Sequence, residues 1–80
     1  MRVNVRLSGS LAQVLGPRQV LDLDEGATVA DLLDVVGRSA GIEPDASRSL
    51  AVVARGTIVP LEHRLAGDDE LDVLVPVAGG

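Results

Sequence analysis

Two glycines at positions 79 and 80 are the residues of this sequence best placed to do chemistry. Neither has a side chain, so the chemistry on offer is that of the main-chain carbonyl. Gly80 offers a carboxylate with no substituent to shield it from a nucleophile, and Gly79 leads to it without a Cβ to widen the thread. The run Pro76-Val77-Ala78-Gly79-Gly80 loses bulk step by step. Five extended residues span at most about 17 Å at roughly 3.3–3.6 Å each, enough to carry a terminal carboxylate into a partner's buried site. The competing reading is simple fraying, because chain ends are commonly poorly ordered and rich in glycine. The tail by itself does not choose between the two.

The other residue types mostly exclude. Cysteine is absent, which removes disulfides, thiolate metal sites and any sulfur nucleophile of the chain's own. His63 is the only histidine and has no second His or Cys as a co-ligand, so it reads as a surface residue. Asp68-Asp69-Glu70 lacks the ligand spacing of a calcium loop and reads as a solvated turn. No serine stands in a recognisable nucleophile motif, and neither GxxxxGK[ST] nor GxGxxG occurs. The expectation is a chain that is not an enzyme and binds no cofactor or metal itself. Seven basic against twelve acidic residues give a net charge of −5, and there are no aromatic rings on which bases could stack, which argues against nucleic acid as a partner. All seven basic residues are arginine, so only the α-amino group of Met1 could accept an amide bond. No apolar run approaches the roughly 20 residues of a membrane span and no signal-peptide pattern opens the chain, so the expected location is cytoplasmic, without a membrane partner.

Eighty residues make one domain with a modest core, here packed wholly from Val, Leu, Ala, Ile and one Met. Arg2 to Leu7 alternates strictly, the period of a half-buried strand with Val3, Val5 and Leu7 inward. Ser10 and Gln13 read as a capping box opening a short helix that Gly16-Pro17 ends. A second strand is predicted over Arg18 to Asp24, antiparallel to the first, with Leu21 and Leu23 inward. Thr28 with Asp31 caps the main helix, whose apolar face is Val29, Leu32, Leu33 and Val36, with Asp34 and Arg38 set to pair on the opposite side. Gly37 weakens this helix and Gly41 ends it. Residues 43–49 form a polar loop with room for a further helical turn. Leu50 to Ala54 reads as a strand covered on both faces, Arg55-Gly56 as a turn, Thr57 to Val59 as an edge strand closed by Pro60, and Glu70 to Val75 as a last strand with Leu71, Val73 and Val75 inward. A helix laid across one face of a mixed sheet buries all these inward sets at once.

Hairpin, helix, short strands and a final strand running into Gly-Gly resemble the MoaD and ThiS sulfur carriers over nearly all 80 residues. Three stretches carry the resemblance: Glu25 to Leu33 at the helix start, Asp69-Glu70-Leu71, and Pro76 to Gly80. The Val-Ala-Gly-Gly ending is most similar to MoaD, the small subunit of molybdopterin synthase. The resemblance implies an α+β, ubiquitin-like β-grasp fold: a mixed four- to five-stranded sheet, one main helix across one face, a domain over residues 1–75 and a flexible tail over 76–80. It implies a carrier whose Gly80 carboxylate is adenylated by a ubiquitin-activating-type enzyme (MoeB/ThiF-like), with ATP and Mg used by that partner. A sulfur donor then converts Gly80 to a thiocarboxylate, which passes sulfur to a synthase, a MoaE-like large subunit or its equivalent. Gly80 and Gly79 would be the reactive end. Arg6, Leu74, Pro76, Val77 and Ala78 would contact partners, with Arg2, Arg6, Asp72 and Leu74 together on the outer sheet face if the first and last strands are neighbours; the competing reading is that the arginines only balance neighbouring acids and the exposed aliphatics are ordinary surface. The alternatives are a ubiquitin-like protein modifier and a non-reactive ubiquitin-like interaction module. Where the family usually has Gly before its Asp-Glu pair this chain has Asp68, and Asp tolerates left-handed backbone better than most residues.

Overall fold

Strict alternation builds the first strand. In the computed structural model, which describes residues 1–75, β1 (Arg2–Leu7) buries Val3, Val5 and Leu7 and leaves Arg2, Asn4 and Arg6 exposed. There follow α1 (Gly9–Leu15), β2 (Arg18–Asp22), α2 (Val29–Ala40), α3 (Pro44–Arg48), β3 (Ala51–Ala54), β4 (Thr57–Val59) and β5 (Glu70–Leu74). The five strands form one sheet in the order β2-β1-β5-β3-β4. β1 and β5 are parallel, and every other neighbouring pair is antiparallel. This is the β-grasp arrangement expected from the order of elements.

One face of the sheet and one face of α2 make the core. Val29, Leu32, Leu33 and Val36 of α2 are at most 1% exposed and pack with Val3, Val5, Val52, Leu71 and Val73 of the strands. The start of α2 shows how completely a helix end can be satisfied. Thr28 and Asp31 form a reciprocal capping box, while the Val29 and Ala30 amides donate to the carbonyls of His63 and Leu61 at 2.9 Å each. The loop after β4 is thereby fixed to the helix, and Leu65 joins the core. His63, read as a surface residue, is half-buried in that loop.

The structure corrects several local expectations. The first helix starts at Gly9 with Ser8 as N-cap, so Ser10 lies inside it and the Ser10–Gln13 box does not form; the Ser8 side chain makes no capping bond either. β2 ends at Asp22, though Leu23 still packs against the core. β5 ends at Leu74, and Val75, expected inward, is 40% exposed. Leu50 precedes β3, in which only Val52 is fully buried. Residues 44–48 do form a helical turn. Asp34 pairs with Arg48 of α3 rather than with Arg38: Arg48 donates from Nε and Nη2 to the two carboxylate oxygens at 3.3 and 3.2 Å. The tertiary partner prevails because it offers a two-pronged approach that a neighbour one turn along the helix does not.

That pair makes a pH prediction. The hydrogen bond from Arg48, helped by the positive charges of Arg48 and Arg38 and opposed by desolvation, holds the Asp34 carboxyl below its ordinary value. A carboxyl lowered on folding adds stability above its unfolded titration range, and that stability fades as pH falls through the folded one. Arg48 is exposed and Asp34 half-buried, so water screens the pair and the effect is small. Asp34→Asn should lower the urea midpoint slightly at neutral pH, with the gap to the parent closing in acid. A gap that persisted in acid would show that packing rather than charge is lost.

Gly37 has a purpose beyond tolerance. A Cβ at this position would lie 2.5 Å from Ser47 Cβ and 2.9 Å from its Oγ, so α3 sits against α2 only because this residue is bare. Ser47 is fully buried, and its hydroxyl donates to Pro44 O at 2.9 Å. Gly37→Ala should therefore destabilise by roughly 1–3 kcal/mol through overpacking, outweighing the gain of about 0.5–1 kcal/mol that alanine brings to a helix. Ser47→Gly in the same chain should restore part of the loss in thermal unfolding.

Candidate functional site

The outer face of the sheet and the end of β5 are the parts of the molecule that could present a reactive tail. Outward positions follow from register. Arg18, Arg6, Asp72, Val53 and Ile58 form a row across all five strands, and Leu74 is paired with Ala51 in the next row. The row is charged at its β2 and β1 end and apolar at its β3 and β4 end.

Arg6 and Asp72 meet on adjacent parallel strands. Arg6 donates from Nε to Oδ1 at 2.7 Å and from Nη2 to Oδ2 at 3.1 Å. The hydrogen bond to Asp72, then the charges of Asp72 and Glu70, hold the guanidinium still more firmly protonated than an isolated arginine. Arg6, a candidate partner contact whose alternative was to balance a neighbouring acid, is engaged by Asp72. Its fork is oriented by Asp72 while the side chain remains 61% exposed. Arg2 lies on the same face two rows away.

Leu74, the last residue of β5, is 39% exposed. It adjoins the half-buried Ala51 and Val53, with Ile58 beyond at 70% exposure, the most exposed large aliphatic side chain among the described residues. Ile58 escaped the sequence reading although a signal was present: a two-residue turn at Arg55-Gly56 pairs Val53 with Ile58, and with Val52 inward both must face out. Val75 lies beside Gly9, whose backbone is left-handed (φ 59°) and whose hypothetical Cβ would be 4.0 Å from Val75 Cγ2. Pro76, Val77, Ala78, Gly79 and Gly80 lie outside the described residues.

The acidic turn sits at the opposite end of the sheet. Asp68 takes a left-handed backbone (φ 65°), as its place before Asp69-Glu70 requires, and its amide donates to Arg2 O at 2.7 Å. Asp69 Oδ2 accepts from the Ala66 amide at 2.8 Å. A groove there is lined by Arg6, Arg55, His63, Arg64 and the four acids from Asp68 to Asp72, charges of both signs facing one another. Among the described residues no group of three or more His, Cys, Asp or Glu could hold a metal ion, and no helix is long and apolar enough to cross a membrane.

No curated protein matches this sequence. Solved structures do. Small archaeal modifier protein 1 of Haloferax volcanii is 28% identical with a TM-score of 0.76, the match covering 95% of this chain and 98% of that one. A Pyrococcus furiosus protein described as a molybdopterin converting factor, subunit 1, is 23% identical (TM-score 0.78, 96% and 99% covered). A Caldiarchaeum subterraneum ubiquitin is 16% identical (TM-score 0.71, 100% and 98% covered). The last two speak to the fold alone. The model of the ThiS family matches residues 5–80, a span that runs from the middle of β1 through the outer-face row to the two terminal glycines. This five-stranded β-grasp chain, matched by the family model over residues 5–80, belongs to the ThiS family.

Proposed function

We propose that this chain is a sulfur carrier whose working group is the Gly80 carboxylate. The observation that carries the reading is the diglycine that follows β5 of a β-grasp body within a single family match to residue 80. A carboxylate resists nucleophiles because of its charge and resonance, so it must be activated. A carboxylate oxygen attacks the α-phosphorus of ATP, pyrophosphate leaves, and an acyl-adenylate forms. Sulfur at the sulfide level then attacks the Gly80 carbonyl carbon, either as hydrosulfide or as a donor persulfide whose S–S bond is afterwards cleaved by a reducing thiol, and AMP departs with the C–O electron pair, leaving a thiocarboxylate. The carrier supplies the acyl group and its handle, while ATP, magnesium and the stabilisation of the leaving phosphate belong to a ubiquitin-activating-type partner of the cytoplasm. Residues 1–75 act as the body that partners grip, and residues 76–80 as the thread they admit. The pathway proposed is that of the molybdopterin synthase small subunit, with a large subunit accepting the sulfur.

The likeness to small archaeal modifier protein 1, 28% identical over nearly both chains, favours a second reading in which Gly80 is passed to lysines of other proteins. Both begin at the acyl-adenylate. The test is incubation with ATP, a sulfur donor and the cognate activating enzyme, read by intact mass. Replacement of one oxygen by sulfur supports the carrier, and amide adducts carrying the diglycine remnant support the modifier. An unchanged mass with an enzyme proven active counts against both.

The apolar end of the outer row should be the grip. Leu74→Asp or Ile58→Asp is expected to weaken binding of the activating enzyme by about 2 kcal/mol or more, roughly 30-fold in Kd, with the circular dichroism spectrum unchanged. An unaltered Kd in both variants would place the grip elsewhere.

A further inference from the structure

We propose that the folded domain offers no amine to its own activated terminus, so that Gly80 passes only to foreign acceptors and copies of this chain do not become linked through amides. This rests on the donor role of Gly80 proposed above.

The first observation is chemical. An activated Gly80 is attacked by amines: nitrogen bonds to the carbonyl carbon, the leaving group departs with its electron pair, and the amine's proton goes to solvent. The chain holds seven cationic side chains, and all are arginine. A guanidinium stays protonated at any physiological pH and has no lone pair to spend, whereas a lysine amine does. No side chain can therefore serve as an amine acceptor.

The second observation closes the remaining route, the α-amino group of Met1. It is the end rung of the β1–β2 ladder. Met1 N donates to Leu23 O at 2.6 Å, and the Leu23 amide donates back to Met1 O at 2.8 Å. Asp22 Oδ1 lies 3.5 Å from the same ammonium, and the Met1 side chain is 3% exposed. Met1 as a whole is half-buried, so to act as a nucleophile the group must release a proton and an incoming carbonyl must reach a nitrogen that the end rung and these two partners hold in place.

Topology supplies the third. Because β1 and β5 are parallel, Met1 and the exit of β5 lie at opposite ends of the sheet. Leu7 is level with Val73, so Val75 stands about eight residue steps, roughly 26 Å, beyond Met1 along the strands. Five further residues reach at most about 17 Å, short of that span. Head-to-tail closure within one folded copy is out of reach.

The test uses the full chain prepared with a thioester at Gly80, so no activating enzyme is involved and a failure of the sulfur-carrier reading leaves this result readable. Held concentrated at neutral pH, the folded chain should yield only the hydrolysed acid by intact mass. Added free lysine should give its adduct, proving the thioester competent. Urea should free Met1 and produce cyclic or dimeric amides. Arg55→Lys, a change at an exposed turn residue without an ion-pair partner among the described residues, should yield covalent dimers in the folded state. Amide-linked products from the folded parent would overturn the proposal, and their absence in urea would show that the ladder is not what silences Met1.

Discussion

Deletion of Gly79 and Gly80 will abolish ATP-dependent activation and sulfur loading while leaving the urea midpoint at the parent's value. The two halves of that result come from different parts of the molecule. Every core side chain among the described residues lies between Val3 and Val73, so the body owes its packing to residues upstream of the deletion. The reacting carbonyl, in contrast, moves to Ala78, two residues short and next to a Cβ. Misplacement of a reacting group by a single ångström can cost about 100-fold, and two residues displace it by roughly 7 Å, so no turnover should be detectable. Gly80→Ala keeps the length but adds a methyl beside the carbonyl, and should be slowed rather than silenced. A truncated chain that retained its biological role would identify a plain interaction module, whereas one that still exchanged pyrophosphate into ATP would show that activation does not need the diglycine.

Leu32→Ala should cost about 2–5 kcal/mol, the sum of lost transfer free energy and the cavity left behind. For a domain of this size the whole stability is expected at roughly 0.05–0.15 kcal/mol per residue, so one such change removes a large share of it. Leu32 is 0% exposed and belongs to the core cluster that α2 forms with the strands. A core without aromatic rings offers no large side chain that could swing in to fill the gap. Leu32→Met conserves volume and should cost less than about 1.5 kcal/mol. Urea titration of both variants checks the contrast; equal small losses would mean that the core collapses around the cavity.

Where local physics decided an element, the sequence was a sufficient guide. Thr28 with Asp31 announced the start of α2, and the spacing of Val29, Leu32, Leu33 and Val36 announced its buried face, since both are settled within two turns of chain. The left-handed Asp68 followed instead from the resemblance, which puts Gly at that place, together with the tolerance of Asp for such backbone. What the sequence concealed depends on distant partners. Asp34 has Arg38 one turn away, yet pairs with Arg48 because α3 folds back over Gly37. Gly37 read as a defect until Ser47 was found where its Cβ would stand. Val75 continues the alternation of Leu71 and Val73, but β3 supplies no pairing residue beyond Ala51, so the strand ends at Leu74 and Val75 turns outward. At the candidate site, Arg6 and Leu74 were placed correctly on the outer face by period alone. The engagement of Arg6 by Asp72 needed the parallel register, and the exposed Ile58 needed the hairpin register.

The central claim concerns one atom at the end of the chain, and mass spectrometry reads it. The C-terminal peptide of the protein isolated from cells that make it should be sequenced by fragmentation, with and without iodoacetamide, which alkylates a thiocarboxylate but not a carboxylate at neutral pH. The account predicts a population ending at Gly80 with sulfur in place of one oxygen and a matching alkylated species. A peptide that always ends in an ordinary carboxylate, including after incubation with ATP, sulfur donor and active partner enzyme, or one that continues beyond Gly80, would contradict it.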